Sequence, residues 1–337
     1  MAPAERARPP MHDAARSLAE LDLALRRPTM DDAHGLFRLQ ADIDRHDFGA
    51  IDMSLDDIRD ELREVPLETD AWLAVSAAAS GGDPVGYAML QPRTGGRMRG
   101  HLAVHPARRG AGIGTALAGL LEGRARERIG EVEDRDAEVT LEGWINADSA
   151  ADAEWARGLG YEWTRRFQRM RIDMSEPPPA PEWPEGITVR TFRLGDDDRA
   201  MFEAQEAAFA DHWGHVPASF DQWLKRTRRH DFDPELWLMA FDGNRVVATS
   251  TNSVIPENLG WISGLGVVPS HRRRGLARAI LLQAFNDFWR RGQRSVALGV
   301  DADSLTGATR LYEAAGMRVV ESHDQVRKEL RPGWPAS

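Results

Sequence analysis

Cysteine is missing from the whole 337-residue chain. Its absence excludes disulfides, cysteine-based metal sites and a thiol nucleophile. No apolar stretch approaches the roughly 20 residues needed to span a bilayer, and the Ala-, Pro- and Arg-rich residues 1–10 do not resemble a signal peptide. We therefore expect a cytoplasmic protein that does not associate with a membrane.

Two common nucleotide-binding motifs are also missing. The chain has no G-x-x-x-x-G-K-[S/T], and neither of its glycine turns is a full G-x-G-x-x-G after the first strand of a βαβ unit. These gaps disfavour a nucleotide-triphosphate enzyme and a nicotinamide-binding fold. The net charge of −10 argues against a nucleic-acid partner. No carboxylate stands at helical ligand spacing with the loop histidines, so we expect no metal.

One segment occurs twice. Residues 104–115 read V-H-P-A-R-R-G-A-G-I-G-T, and residues 267–278 read V-V-P-S-H-R-R-R-G-L-A-R. Pro106 and Pro269 are 163 residues apart (269 minus 106), which is a domain-sized interval. Each copy follows a β-rich stretch and precedes an amphipathic helix. A strand, a glycine turn and a helix start form a ready anion site, because backbone N–H groups and the positive end of the helix face outward.

The order of predicted elements also repeats, as β–α–α–β–β–β–turn–α–β–α–β. It predicts an α/β (mixed α+β) fold with two domains, each a mixed, mainly antiparallel sheet flanked by helices. Five prolines between Glu176 and Gly186 predict an extended connector. The predicted organisation is a mobile leader (1–20), a first domain (21–175), the connector (176–186), a second domain (187–331) and a tail (332–337).

In this setting the repeated turn resembles the acetyl-CoA motif [Q/R]-x-x-G-x-[G/A] of the GNAT superfamily of N-acetyltransferases. Because the match covers both halves, the chain resembles a tandem GNAT, with the two-domain layout of members such as mycothiol synthase. A tandem GNAT of antibiotic biosynthesis is an alternative. The resemblance implies acetyl transfer from acetyl-CoA to a primary amine of a small molecule, by a monomer or a homodimer.

The resemblance also assigns coenzyme-binding residues. The diphosphate would be wrapped by the two turns, and the preceding strand residues would pair with the pantetheine; these are Arg109, Gly110, Ala111, Gly112, Ile113, Gly114, Thr115 with Leu102, Ala103, Val104 in the first half, and Arg272, Arg273, Arg274, Gly275, Leu276, Ala277, Arg278 with Leu265, Gly266, Val267 in the second. Ser304 would contact the coenzyme where family members often carry asparagine. Because the first turn has more glycine, we expect it to bind phosphate at least as well as the second turn does.

The two halves differ at one tyrosine position. The second half reads L-Y-x-x-x-G from Leu311, so the resemblance makes Tyr312 the general acid that protonates the departing thiolate. Aligned on the glycine, the first half has Ala156 at this position. We therefore predict that the second half catalyses and that the first half binds acetyl-CoA structurally or not at all.

The acceptor side is less defined. His212, Trp213 and His215 follow the first helix of the second half, where GNAT acceptor pockets are usually shaped, and are candidate substrate contacts. The resemblance leaves the general base unidentified. Two alternatives stay open: catalysis by the first half, and a non-catalytic acyl-CoA sensor or scaffold.

Overall fold

The computed structural model describes residues 10–49, 51, 53–77, 82–92, 95–215, 217–304 and 307–333. The chain forms two compact units. The first combines Met1–Thr164 with Asp324–Ser337, and the second is Arg165–His323. Each unit therefore corresponds to one of the two predicted domains, and the main difference lies in the residues that form its last strand.

The helices of the first unit are α1 (Pro10–Ala19), α2 (Ala33–Asp47), α3 (Leu55–Glu64), α4 (Leu67–Asp70), α5 (Ile113–Glu127) and α6 (Ala150–Gly158). Its strands are β1 (Leu23–Arg26), β2 (Ala71–Ser76), β3 (Pro84–Pro92), β4 (Arg97–Val104) and β5 (Val139–Asn146). They follow in the order β1-β2-β3-β4-β5, antiparallel except for the parallel pair β4–β5. The sheet separates two apolar clusters, one that includes Leu117 and Leu121 of α5 and one that includes Leu36 of α2.

The second unit continues along the chain. Its elements are β6 (Glu162–Asp173, whose first residues belong to the first unit), β7 (Ile187–Thr191), α7 (Asp198–Phe209), α8 (Phe220–Leu224), β8 (Leu238–Asp242), β9 (Arg245–Ile255), β10 (Leu259–Val267), α9 (Leu276–Arg290), β11 (Ser295–Asp301), α10 (Ala308–Ala314) and β12 (Arg318–Arg331). The strand order is β6-β11-β10-β9-β8-β7, with β10–β11 as the parallel pair. Both units thus confirm the predicted mixed, mainly antiparallel sheet with flanking helices.

The domain boundaries differ from those predicted at the end of each unit. Residues 167–173 of β6, expected to close the first sheet, pair antiparallel with β11 of the second unit, where Asp173 lies opposite Ser295. The final residues of β12, from Asp324, belong to the first unit, where Gln325 donates to Glu142 of β5 at 3.1 Å. Strand patterning shows that a strand exists but not which sheet it joins, because an alternating segment fits either edge.

The predicted leader also differs. Residues 10–19 form α1, an amphipathic helix on which Ala14 and Leu18 are buried in the core of the first unit. Its apolar residues recur four apart, the spacing that places side chains on one helix face. Ser54 caps α3, since its hydroxyl accepts from the Asp57 N–H at 3.1 Å and Asp57 accepts from the Ser54 N–H at 2.9 Å.

The second core is centred on α9. Phe285 and Phe288 are fully buried beneath the sheet, and Gly260 of β10 leaves room for the Phe288 ring. We expect Phe285→Ala to lower the free energy of unfolding of the second unit by about 3–5 kcal/mol, because the change removes buried apolar surface and leaves a cavity. Urea unfolding followed by far-UV circular dichroism measures this loss, and a change below 1 kcal/mol would show that the ring is not packed as described.

Within the described residues, no helix is both long enough and apolar enough to cross a membrane.

Candidate active site

The two glycine turns have the same backbone conformation. In each, a single 3-10 turn follows the strand, at Pro106–Arg108 and at Pro269–His271. The helix then begins after a left-handed glycine, Gly112 (φ 89°, ψ −4°) and Gly275 (φ 85°, ψ −6°). Left-handed backbone of this kind suits glycine, and it turns the N–H groups of the first helical turn toward solvent, where an anion can bind.

The extra glycine of the first turn does not change its shape. Gly110 has φ 77°, and Arg273, at the same place in the second turn, has φ 60° although it carries a side chain. Strain at a non-glycine residue persists only where the surroundings enforce it. A Cβ at Gly110, Gly112 or Gly275 would meet nothing within 4 Å, so both turns leave open space in front of the backbone.

The first arginine of each turn binds the end of the preceding strand and a nearby aspartate, and so holds the turn in place. The Arg272 guanidinium donates to the Val267 carbonyl at 3.2 Å and forms a two-pronged ion pair with Asp211. Arg109 does the same with the Val104 carbonyl at 3.3 Å and with both oxygens of Asp47 at 2.8 and 2.7 Å. The resemblance assigned Arg109 and Arg272 to the diphosphate; in the structure their side chains join the turn to the end of α2 and to the residues just after α7.

The two aspartates were not foreseen from the sequence. Asp47 precedes Arg109 by 62 residues and Asp211 precedes Arg272 by 61, so the repeat itself carried the information. The hydrogen bond from Arg272 keeps the pKa of Asp211 below its usual range. Burial raises the pKa of Asp47, but hydrogen bonds from Arg109 and His46 outweigh it and leave the pKa lowered. Both carboxylates are therefore charged anchors at neutral pH.

We expect Asp211→Asn to raise the KM for acetyl-CoA about two- to fivefold without a change in kcat. The amide keeps the shape but weakens a charge-assisted pair that is partly exposed, and such pairs contribute about 1 kcal/mol or less. Steady-state kinetics with varied acetyl-CoA measure the change. An unchanged KM, or a fall in kcat alone, would show that the anchor does not set the turn.

The surroundings of the two turns differ in charge. Arg273, Arg274 and Arg278 stand in the second turn where the first has Gly110, Ala111 and Thr115. Of the three arginines, Arg274 has a carboxylate within 4 Å, Asp242 at 3.8 Å, and this pair is well exposed. A diphosphate would therefore meet more positive charge at the second turn than at the first.

Each sheet opens in front of its turn. The parallel pairing of β10 with β11 covers Gly260 to Ile262, and that of β4 with β5 covers Arg97 to Arg99. Beyond these residues the paired register stops. The remaining strand residues, predicted to pair with pantetheine, are Leu265, Gly266 and Val267 in β10 and Leu102, Ala103 and Val104 in β4. Among the described residues, their strand pairing is with β9 and with β3, and the Val267 and Val104 carbonyls also accept from the first arginine of their turns.

A β-bulge distinguishes the second opening. The register of β10 with β9 jumps from Ile262 opposite Asn252 to Gly264 opposite Thr251, so Ser263 is an extra residue. The corresponding register of β4 with β3 is continuous from Met98 to Val104. A bulge bends a strand and leaves backbone groups unpaired. The second unit therefore has a bulge at its opening that the first unit lacks, and the sequence offered only the run of glycines around it as an indication.

Tyr312 lies on α10 of the second unit. Its side chain is 7% exposed and packs with the core. Burial raises the pKa of Tyr312 to about 12, which keeps the phenol protonated at neutral pH. Within the described residues, no hydrogen bond occupies its hydroxyl. Ala156, its counterpart on α6, is buried and carries no acid.

The predicted acceptor residues lie in the segment after α7. Trp213 is 43% exposed and its ring lies 4.8 Å from the Arg165 guanidinium carbon. His215 approaches Glu206 at 3.3 Å, and the His212 ring packs on Phe209 at a centroid distance of 5.3 Å. Ser304 follows β11, where its N–H donates to the Asp301 carbonyl at 3.1 Å. Leu276 and Ala277 form the first turn of α9.

Charged side chains on the sheet of the second unit were missed by the sequence reasoning. Arg165 of β6 donates to the buried carboxylate of Asp301 at 2.5 Å. Arg169 lies four residues further along β6, and its guanidinium carbon is 5.2 Å from the centroid of the Trp261 ring. The three elements that bring them together are distant in sequence, so no local pattern could have indicated the arrangement.

Comparison with known proteins agrees with this geometry. The model of the acetyltransferase (GNAT) family matches residues 36–142 and 199–317, one segment in each unit and together more than half of the chain. The chain belongs to the GNAT family of acetyltransferases. It is thus an enzyme of the family that uses acetyl-CoA as cosubstrate, and each matched segment contains one of the two glycine turns.

The chain is similar to several acetyltransferases. A mycothiol acetyltransferase of Geodermatophilus obscurus is 33% identical over 72% of this chain and 78% of its own length, and one of Thermobispora bispora is 31% identical over 77% and 95%. A solved GCN5-related N-acetyltransferase from Sphaerobacter thermophilus is 37% identical, with a TM-score of 0.80 over 93% of this chain and 97% of its own. A tandem GNAT protein from the clavulanic acid pathway shares the fold, with a TM-score of 0.71 over 92% and 99% of the chains at 19% identity.

Proposed function

We propose that this GNAT acetyltransferase transfers the acetyl group of acetyl-CoA to a primary amine of a small molecule, and that the second unit performs the reaction. The observation that carries the proposal is the buried phenol of Tyr312 on α10, in the same unit as the bulged opening of β10. The first unit has neither the tyrosine nor the bulge. It is therefore proposed to be non-catalytic.

The second turn and the strand before it are proposed to bind acetyl-CoA. The N–H groups at the start of α9 and the positive charge of Arg273, Arg274 and Arg278 suit the diphosphate. The unpaired edge of β10 suits the amide groups of pantetheine, which can hydrogen-bond to a strand as another strand does. A free N–H near Ser263 would polarise the thioester carbonyl, because a donor placed where negative charge develops stabilises the transition state.

Tyr312 then acts on the leaving group. The acceptor nitrogen forms a bond to the thioester carbon, the C–S bond breaks, and its electron pair remains on sulfur. The Tyr312 hydroxyl gives its proton to that thiolate, the proton lost by the amine leaves for solvent, and the Tyr312 phenolate takes a proton back from solvent. A phenol whose pKa is about 12 cannot protonate a free thiolate at equilibrium, so its value lies in donating across a short hydrogen bond as charge forms.

The proposed acceptor is a primary amine of a small molecule. The mycothiol acetyltransferases among the relatives support a small-molecule substrate, and their acceptor is the first to assay. His212, Trp213 and His215 are proposed to contact the acceptor, since the exposed Trp213 ring and its Arg165 partner lie in the second unit.

Release of free CoA thiol from acetyl-CoA, measured with a panel of primary amines, tests the proposal. We expect at least one amine to stimulate release well above the rate in buffer, with one acetylated product formed per thiol. Tight binding of acetyl-CoA with no stimulation by any primary amine would contradict the proposed acceptor class.

A further inference from the structure

We propose that Trp155 closes the coenzyme groove of the first unit, so that the chain holds a single acetyl-CoA, in the second unit. The inference rests on the proposed function for the second site, but its evidence lies in the first unit alone.

Trp155 joins the two helices that flank the first groove. It lies on α6, yet its indole N–H donates to the Thr115 hydroxyl on α5 at 3.1 Å. Its ring reaches Gly114, where a Cβ would lie 3.6 Å from the indole edge. Gly114 and Thr115 belong to the glycine turn and the first helical turn that would receive the diphosphate and the start of pantetheine. The indole therefore lies across the entry of the groove and takes the contact that a ligand would make.

The position of Trp155 in the repeat strengthens this interpretation. It immediately precedes Ala156, the counterpart of Tyr312, so it belongs to the helix that faces the coenzyme in the catalytic unit. Its own counterpart is Leu311 (155 plus 156), which packs against the core of the second unit. The first unit therefore differs from the second at two adjacent positions, with tryptophan in place of leucine and alanine in place of tyrosine, and both differences disfavour coenzyme chemistry in the first unit.

The electrostatics of the first turn point the same way. Asp152, one turn before Ala156 on α6, is close enough to Arg109 to add to the effect of Asp47, the main cause of the raised pKa of that guanidinium. The counterpart of Asp152 in the second unit is Ala308. A diphosphate at the first turn would thus meet a carboxylate where the second turn has none, and it would find no counterparts of Arg273, Arg274 and Arg278.

A side chain that fills its own binding site competes with the ligand. The apparent affinity equals the intrinsic affinity multiplied by the fraction of molecules in which the groove is open, so a groove closed about 99% of the time binds about 100-fold more weakly. Truncation of Trp155 to alanine removes the occupant and leaves the turn intact, since α5 is capped by Gly112 and not by the indole. The first groove should then bind coenzyme measurably more tightly.

Native mass spectrometry with CoA counts the sites directly. We expect one bound CoA per wild-type chain, two in Trp155→Ala, one in Trp155→Ala combined with Gly275→Val, and none in Gly275→Val alone. Trp163→Ala, which truncates a 56% exposed tryptophan of the same unit, is the matched control and should keep one. Unchanged thermal unfolding of the first unit checks that Trp155→Ala folds.

The outcomes separate the two proposals. Two CoA molecules on the wild-type chain, or a count of one in folded Trp155→Ala, would overturn the inference about Trp155 while leaving catalysis in the second unit unaffected. A single CoA that survives Gly275→Val but is lost in Gly112→Val would place the coenzyme in the first unit and overturn both.

Discussion

Tyr312→Phe is expected to lower kcat for acetyl transfer by about 10²- to 10³-fold while the affinity for acetyl-CoA stays within twofold. The ring keeps its packing in the core, but the proton donor for the thiolate is lost, and general acid catalysis contributes about 10²–10⁴-fold. Pre-steady-state thiol release and a separate binding titration measure the two effects. Equal losses of kcat and of affinity would indicate a packing role instead.

The chain provides matched controls for this result, because it contains three tyrosines. Tyr87 donates to Gln40 at 3.0 Å in the first unit, and Tyr161 packs there as well, where burial and nearby Glu122 raise its pKa. Tyr87→Phe and Tyr161→Phe likewise remove a hydroxyl from a ring that packs in the core of the first unit. Both variants should keep kcat within twofold, and a large loss in either would reassign the acid to the first unit.

The raised pKa of Tyr312 also fixes a pH dependence. In the unfolded chain the phenol titrates near its ordinary value of about 10, whereas in the folded protein burial raises the pKa to about 12. The neutral phenol is the stable form inside the protein, so its contribution to stability is complete below pH 10 and is lost as the pH rises through 12. Because Tyr312 stays protonated below about pH 10 in the folded protein, its ionisation should not limit kcat at those pH values.

Gly275→Val is expected to lower kcat/KM for acetyl-CoA by more than 100-fold. The residue has φ 85°, a conformation that a β-branched residue adopts only with strain, so the turn would rotate its N–H groups away from the diphosphate. Open space around the glycine excludes a simple clash as the cause. Initial rates at varied acetyl-CoA, with binding measured by calorimetry, give the effect.

Gly292→Val is the control for backbone strain in the same unit. Gly292 has φ 93° and nothing within 4 Å of a Cβ, but it follows the far end of α9. It should cost comparable stability and leave kcat/KM within threefold. Gly112→Val makes the same change in the first turn. If that variant lost activity and Gly275→Val kept it, the assignment of catalysis to the second unit would be wrong.

Much of the fold was predictable because the repeat doubles every local pattern. The alternation before Val104 and Val267, and the helix after each glycine turn, predict the strands and helices that position the site. Strand partners were not predictable, since β6 and the end of β12 fit two sheets equally well by pattern. The same limit applies to Asp301 and Arg165, which meet only once the second sheet has formed.

The site was predictable in part for the same reason. A glycine turn and a tyrosine before a fixed glycine are short-range patterns, so Gly275 and Tyr312 stand out in the sequence. The roles of Arg109 and Arg272 depend on carboxylates about 60 residues away, and the bulge at Ser263 depends on the register of β9. Trp155 reads as an ordinary helix residue until α6 and α5 are placed side by side.

A crystal structure with acetyl-CoA tests the central claim most directly. The diphosphate should lie against the N–H groups at the start of α9, between Gly275 and Ala277, with the thioester sulfur within hydrogen-bonding distance of the Tyr312 hydroxyl. Acetyl-CoA bound with its diphosphate away from both glycine turns, or bound only at Gly112 in the first unit, would contradict the account.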